Sequence, residues 1–473
     1  MVCVTFFSCT ASASNANNSK VNNTTPSAKA AIFQTEINAL KFNQISTIDG
    51  LSNSNVFNIT QDHQGFIWFA TEDGLNRFDG HNFVIYRHNA NNKHSIADNV
   101  IRKIFIDNTN TLWVGTQNGL SRYNIELDNF DNFVNQANDD FSLRDNVIWD
   151  IYQNKNQSLP NNNAEPLLWV STSKGLHTLS VKNERDNIKF TRIQVRNYNN
   201  SMREIKTIFQ DKQQNYWLGS FDQGIHLLSK NFNYIGSLQG QNKFNLSINA
   251  NALFDMKAID NQYWLATDNG LYIIDDHYHL VSHFTDSPQA ANDKNNEQSL
   301  LSNNVRAISQ FDETHVWLAT QNGLNTINLL NNQITSYQNN TKTTSISENW
   351  LMDIFQDNNN TMWLATYGGG LNKYSPLTSL FHHGLASDDN QTYRVQSFAE
   401  TSDGTIWLST EEQGLFSLKE GKTEKQNSFN TKDNIIQLMS DENDRLWLLT
   451  DKYSLLSFNT KSFELLEHNE WLV

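Results

Sequence analysis

Three cationic side chains occupy one repeated position in this sequence. Arg102, Lys206 and Arg306 each lie eleven residues before a tryptophan: Trp113, Trp217 and Trp317. Arginine grips a carboxylate or sulfate with two parallel N–H bonds, and lysine adds a compact point charge. Three such groups at one height could bind an anion, or each could pair with a carboxylate on a neighbouring element. The same slot holds Phe57, Met352 and, allowing for an insertion, Trp149, so the cations are expected between apolar walls. Other chemistry is thin. The 13 histidines are scattered, and the pair His382-His383 lacks the further ligand that zinc needs. No nucleophile elbow, phosphate loop or metal-ligand spacing is present. The expectation is no catalytic residue, no metal and no cofactor.

The elements that position these residues come from a repeat. The phrase QDHQGFIWFATEDGLNRF around Trp68 returns around Trp113, Trp169, Trp217, Trp264, Trp317, Trp363 and Trp407, and in decayed form around Trp447. Successive tryptophans are 40 to 56 residues apart. A period of about 40–50 residues with strand-like content marks propeller blades. Within the first copy, Val56–Gln61, Phe66–Ala70, Leu75–Phe78 and Phe83–Tyr86 read as four strands joined by turns at Asp62–Gly65, Glu72–Gly74 and Asp79-Gly80. Glycine supplies the positive φ of the hairpin. Such a meander cannot bury both faces alone, so neighbouring blades must stack. The expected fold is all-β: seven four-stranded blades, then an incomplete second propeller of about two.

The register carries further expectations. Twelve residues before the tryptophans stand Val56, Ile101, Ile205, Val305, Leu351, Val395 and Ile435, and nine before stand Ile59, Ile104, Ile208, Ile308, Ile354, Phe398 and Leu438. An odd offset of three places these on opposite faces of an inner strand. Six before stand Asp62, Asp107, Asp211, Asp357 and Asp441, read as turn residues bonding their own backbone. The loops between second and third strands are polar: Glu72-Asp73, Gln117-Asn118, Asp222-Gln223, Asp268-Asn269 and Gln321-Asn322. They share a face with the blade linkers and are candidate ligand contacts. So are Trp350, at the start of an inner strand, and Tyr367, which opens the looser turn Tyr367-Gly368-Gly369-Gly370.

Net charge is −15 over 473 residues, which disfavours nucleic acid as a partner. Residues 1–14, MVCVTFFSCTASAS, have an apolar run and an Ala-x-Ala, like the end of a secretory signal. Both cysteines, Cys3 and Cys9, lie there, so the remainder has no thiol chemistry. Residues 15–40 read as a disordered entry segment. Phe42–Ile45 matches the fourth-strand slot of Phe83–Tyr86 with no blade before it, as expected if residues 41–48 complete the last blade of a ring over 41–380. Leu380–His383 then opens a partial second propeller over 381–473.

The phrases GLSNSNVFNITQDHQGFIWFATEDGLNRFDG and SIADNVIRKIFIDNTNTLWVGTQNGLSRY resemble the two-component regulator propeller family. So do the linkers Ser95-Ile96-x-x-Asn99, Ser142-Leu143-x-x-Asn146 and Ser345-Ile346-x-x-Asn349. The resemblance spans about residues 41–460. It implies the periplasmic sensor region of a membrane receptor: two seven-bladed propellers, an immunoglobulin-like domain, a transmembrane helix and a histidine kinase or diguanylate cyclase output. It also implies an oligosaccharide-like small ligand and, in the intact receptor, a membrane-spanning output that works as a homodimer. An acidic oligosaccharide, with a uronate or sulfate, would suit the three cations. This sequence stops in its ninth repeat, so it reads as a sensor fragment, a truncated product or an incomplete sequence. The alternatives are a protein-interaction propeller and a propeller enzyme such as a polysaccharide lyase.

Overall fold

The computed structural model describes residues 40–153, 167–180, 188–197, 202, 204–239, 246–287, 299–376, 394–410, 414–419, 422–426, 434–452, 454–460 and 464–470. The leader, the entry segment, Leu380–His383 and the pair His382-His383 lie outside them. The chain divides into a unit Leu40–Leu380 and a second that carries Phe381–Val473. Among the described residues the protein is a β-propeller chain of nine four-stranded antiparallel sheets. No helix there is long and apolar enough to cross a membrane.

The first blade runs Val56–Gln61, Ile67–Thr71, Gly74–Phe78 and Phe83–Tyr86 in that spatial order. In the first unit the inner strands neighbour one another in chain order, and Leu351–Gln356 of the Trp363 blade returns to Val56–Gln61. Asn43–Ile45 is the outermost strand of that last blade, paired antiparallel with Leu371–Tyr374. Phe42, just before it, is buried between Trp317 and Tyr374, with ring centroids 6.2 and 6.1 Å away.

Repeat residues earn their places by packing. In the first unit the second strand of each blade is buried on both faces, and its tryptophan packs against the next blade. The small residue two positions on (Ala70, Gly115, Gly219, Ala266, Ala319 and Ala365 among them) seats the first inner-strand residue of the following blade. A Cβ on Gly219 would stand 2.5 Å from Leu253 Cβ, and one on Gly115 2.7 Å from Ile148 Cγ2. The next threonine closes the hairpin: Thr71 Oγ1 donates to Gly74 O at 2.7 Å. Gly74 has φ +109°, and a Cβ there would meet Tyr86 O at 2.7 Å. Its N–H donates to Asn99 O of the next linker at 2.7 Å, as Gly119 does to Asn146 at 2.8 Å. The linker signature has the same logic. Ser95 Oγ and Asn99 Oδ1 accept backbone N–H groups of the loop leaving the outer strand, at 2.9 and 2.7 Å, around the fully buried Ile96.

Two sequence expectations change. The residues twelve and nine before the tryptophan share one face rather than two. Ile101 and Ile104 lie in a single core cluster with Trp68 and Ala70, and Val56 and Ile59 in one with Trp363. The cause is a β-bulge in every inner strand, between Val56 and Asn58, Ile101 and Lys103, and so on around the ring. One inserted residue shifts the two-residue alternation by a step. The aspartates six before the tryptophan do bond their own turns: Asp62 Oδ1 accepts from the Gln64 and Phe66 N–H groups at 3.0 Å. Their second oxygen, however, accepts the indole N–H, at 2.7 Å for Trp68, 2.8 Å for Trp113 and Trp217, and 2.9 Å for Trp363. The Trp264 blade turns at Asp260-Asn261 with Ile259 paired to Gln262. That tighter hairpin has no aspartate slot, and the buried Trp264 Nε1 has no hydrogen-bond partner among the described residues.

In the second unit the blades of Trp407 and Trp447 pack together through Ile435, Leu438 and Phe458. Val395 and Phe398, which match the buried Val56 and Ile59, are 45% and 73% exposed.

Candidate functional site

The bulge gives each inner strand two consecutive residues that face the propeller axis. The first forms a ring of Phe57, Arg102, Trp149, Lys206, Phe254, Arg306 and Met352, and the second a ring of Asn58, Lys103, Asp150, Thr207, Asp255, Ala307 and Asp353. Both line an axial cavity of 1510 Å³.

The first ring brings the three cations together, each leaning on an aromatic residue of an adjacent blade. The Arg102 guanidinium lies 4.3 Å from the Trp149 ring centroid, and the Lys206 ammonium covers the same ring. Arg306 lies 4.1 Å from the Phe254 ring centroid. Cation–π contact of this kind stabilises a desolvated cation. The carboxylate pairing weighed from the sequence is not found: among the described residues none of the three forms an ion pair. Gln117 Oε1 accepts from Arg102 Nε at 2.7 Å and also from its Nη2. Among the described residues Arg306 Nε is buried without a hydrogen-bond partner. Burial lowers the proton affinity of both guanidiniums, opposed by Asp98 for Arg102 and Asp268 for Arg306. Burial, then the repulsion of Arg102, brings Lys206 down to about 7, with Glu204 acting against them and Arg306 with them.

The second ring is a belt that holds the blades together. Asn58 Oδ1 accepts the Ile104 N–H at 3.0 Å; Asp150, Asp255 and Asp353 accept those of Ile208, Ile308 and Ile59, each at 2.9 Å. Thr207 Oγ1 donates to Phe254 O at 2.6 Å. Lys103 Nζ reaches Asp150 at 3.1 Å. Burial opposes its charge, but Asp150, Asp353 and Asp255 outweigh that and hold it above its ordinary value. Burial raises Asp150, against the pull of Lys103. Burial likewise raises Asp353 to about 6, and Lys103 and the Ile59 N–H resist.

The other sequence candidates divide. Gln117 reaches the mouth through Arg102. Trp350 packs against Tyr367 at a tilt of 40° with centroids 4.8 Å apart, its Nε1 is buried without a partner among the described residues, and Phe57 lies 6.4 Å from Tyr367. These form one aromatic corner of the rim. Most loop residues instead fasten loops. Glu72 accepts from Asn55, and Asp73 pairs with Arg87 at 2.9 Å. Asn118 accepts from Asn146 at 2.9 Å, and Asp268 accepts the Asn251 and Ala252 N–H groups at 2.9 and 3.1 Å. Asn269 donates to Asn249 O at 2.8 Å and Asn322 to Leu301 O at 3.2 Å. The Gln223 N–H donates to Ser220 Oγ at 2.6 Å, and the Gln321 N–H to Asn304 O at 3.0 Å. Asp222 is exposed. Phe254 and Phe221 are mouth residues that the sequence register missed. The signal for Phe254 was the shortened Asp260-Asn261 hairpin, which moves its blade by one position.

Comparison with known proteins bears on the repeats and the fold. The two-component regulator propeller family matches at residues 50–73 and 95–118. A histidine kinase P4 of Formosa agariphila is 52% identical over 56 residues, 12% of this chain and 4% of that protein. The extracellular domain of a hybrid two component system from B. thetaiotaomicron superposes with a TM-score of 0.59 at 24% identity, covering 92% of this chain and 55% of that one. The extracellular domain of a one component system from the same organism gives 0.51 at 17%, covering 91% and 54%. The chain thus spans about half the length of those solved structures.

Proposed function

We propose that this chain, which carries two-component regulator propeller repeats, is the extracytoplasmic ligand-sensing part of a signal-transduction receptor. The repeats and the likeness in fold to extracellular domains support that reading. On it, Leu40–Leu380 is a seven-bladed propeller closed by Asn43–Ile45, and the blades after residue 381 begin a second. The protein works in the periplasm, and the ligand signal passes to a histidine kinase or diguanylate cyclase output in a dimeric receptor.

The ligand is an oligosaccharide with an acidic group, bound at the axial mouth. One observation carries this: Arg102, Lys206 and Arg306 stand on aromatic walls and form no ion pair among the described residues, with Asp98, Glu204 and Asp268 acting on them only from beyond contact. Like charges held so close gain most from an anion that arrives from solution. The test is calorimetric titration of acidic and neutral oligosaccharides into the parent and an Arg102→Gln/Arg306→Gln variant. Loss of two charge-assisted anchors weakens the acidic ligand by roughly tenfold or more. Unchanged binding, or a parent that takes neutral sugars alone, overturns the reading.

A further inference from the structure

Lys206 differs from the two arginines beside it. It sits at the bulge of Ile205–Gln210, with its ammonium against the face of Trp149 and 5.3 Å from the ring centroid of Phe221. Among the described residues its Nζ donates no hydrogen bond and joins no ion pair. The charged groups acting on it are Arg102, Arg306 and Glu204, two repelling and one attracting. Burial and the two guanidiniums disfavour the ammonium while the Trp149 face and Glu204 favour it, and the balance brings the amine within reach near neutral pH. A desolvated lysine beside other cations is an activated nucleophile. Nothing in an anion-binding role alone requires a lysine rather than a third arginine at this place.

We propose that Lys206 captures a small oxo acid, an aldehyde or ketone bearing a carboxylate, as an imine, with Arg102 and Arg306 holding the carboxylate. This rests on the axial mouth being the ligand site, and not on the ligand being an oligosaccharide. An α-oxo acid carries its carbonyl carbon directly on the carboxylate, so guanidiniums that hold the acid present the carbonyl to the neighbouring amine. The lone pair of Nζ adds to the carbonyl carbon while the C–O π pair moves to oxygen, which takes up a proton. The nitrogen loses its protons as the hydroxyl leaves as water, and the C=N bond forms. Amine and carbonyl give imine and one water, with no change of oxidation state. The aromatic walls of Trp149 and Phe221 limit water at the nitrogen, and the axial cavity receives the water released.

The test uses the whole chain with glyoxylate as probe and cyanoborohydride to reduce the imine, read by intact mass and peptide mapping. The expected result is one carboxymethyl group on Lys206 ahead of every other lysine, formed faster as pH rises through about 7. The variant Lys206→Arg, which keeps the cation and cannot form an imine, loses that product. Arg102→Gln/Arg306→Gln slows labelling roughly tenfold. Relative to surface lysines, propanal, which has no carboxylate, favours Lys206 far less than glyoxylate does. Labelling scattered over the chain overturns the proposal, as does a preference of propanal for Lys206 over surface lysines equal to that of glyoxylate. If acidic oligosaccharides bind while glyoxylate fails to label Lys206, the imine is excluded and the binding site stands. If neither occurs, both fall.

Discussion

The carboxylate of Asp353 accepts the backbone N–H of Ile59 at 2.9 Å, across 294 positions of sequence. The same oxygen accepts from Asn58 Nδ2 at 2.6 Å. This contact joins the last blade of the ring to the first, and three equivalents repeat it at other blade junctions. The second unit has a version in which Ser397 Oγ accepts the Leu438 N–H at 2.9 Å. Asp353→Ala leaves a buried N–H unsatisfied at the closing seam. It is expected to cost the ring about 1–3 kcal/mol in urea denaturation. Asp353→Asn keeps an acceptor and costs less.

Asp353 also sets a pH dependence. Its carboxyl is raised from 3.8 to about 6 in the folded state, so the native protein holds a proton that the unfolded chain has lost. Its contribution is fully present below pH about 4 and falls as pH rises to about 6. Comparing the denaturation of parent and Asp353→Asn across that window should show the slope missing in the variant.

Lys206 gives the opposite slope. Its folded value is about 7 against 10.5 unfolded, so stability from this group rises as pH climbs from about 7 towards 10.5. Non-covalent binding of an acidic ligand runs the other way. It is strengthened by the ammonium and weakens as pH rises above about 7 until the two arginines alone hold the ligand. A pH series of titrations on the parent and Lys206→Arg checks both, and the variant should be nearly flat.

The small residue after the tryptophan is a steric requirement. Gly219→Ala drives a methyl into Leu253 Cβ and Leu253 O, at 2.5 and 2.7 Å. It should destabilise the ring by about 1–3 kcal/mol through overpacking. Leu253→Val in the same chain should recover none of the loss in a double-mutant cycle, because valine keeps the Cβ and the carbonyl that the new methyl meets.

The tryptophans are core in the first unit. Trp113→Ala should cost about 3–5 kcal/mol, and Asp107→Ala, which strips the indole of its acceptor, about 1–3 kcal/mol. Phe398→Ser, at a residue 73% exposed, should stay within about 0.5 kcal/mol, whereas Ile104→Ser should be severe. Hydrogen exchange followed by mass spectrometry should report weaker protection after residue 390 than in the first seven blades.

The sequence alone determined what local chemistry dictates. A tryptophan every 40 to 56 residues, a small residue two positions on, a hairpin glycine and a turn aspartate recur because each blade repeats the same local problem. That pattern was enough to read an all-β propeller and the strand limits to within a residue in the first blade. It also placed Arg102, Lys206 and Arg306 at one level, since equal positions in equivalent strands share a height.

Tertiary structure decided what happens between blades. The bulge is invisible to a two-residue alternation, so the sequence put Ile101 and Ile104 on opposite faces, whereas packing puts them on one. The same bulge exposes a second residue of each strand to the axis and so creates the belt of Asn58, Asp150, Asp255 and Asp353. Their acceptor role depends on N–H groups tens to hundreds of positions away. The partners of the three cations were likewise undetermined in sequence. Whether Arg306 meets a carboxylate or the ring of Phe254 depends on how two strands from different repeats are brought side by side, and no spacing within one repeat records that.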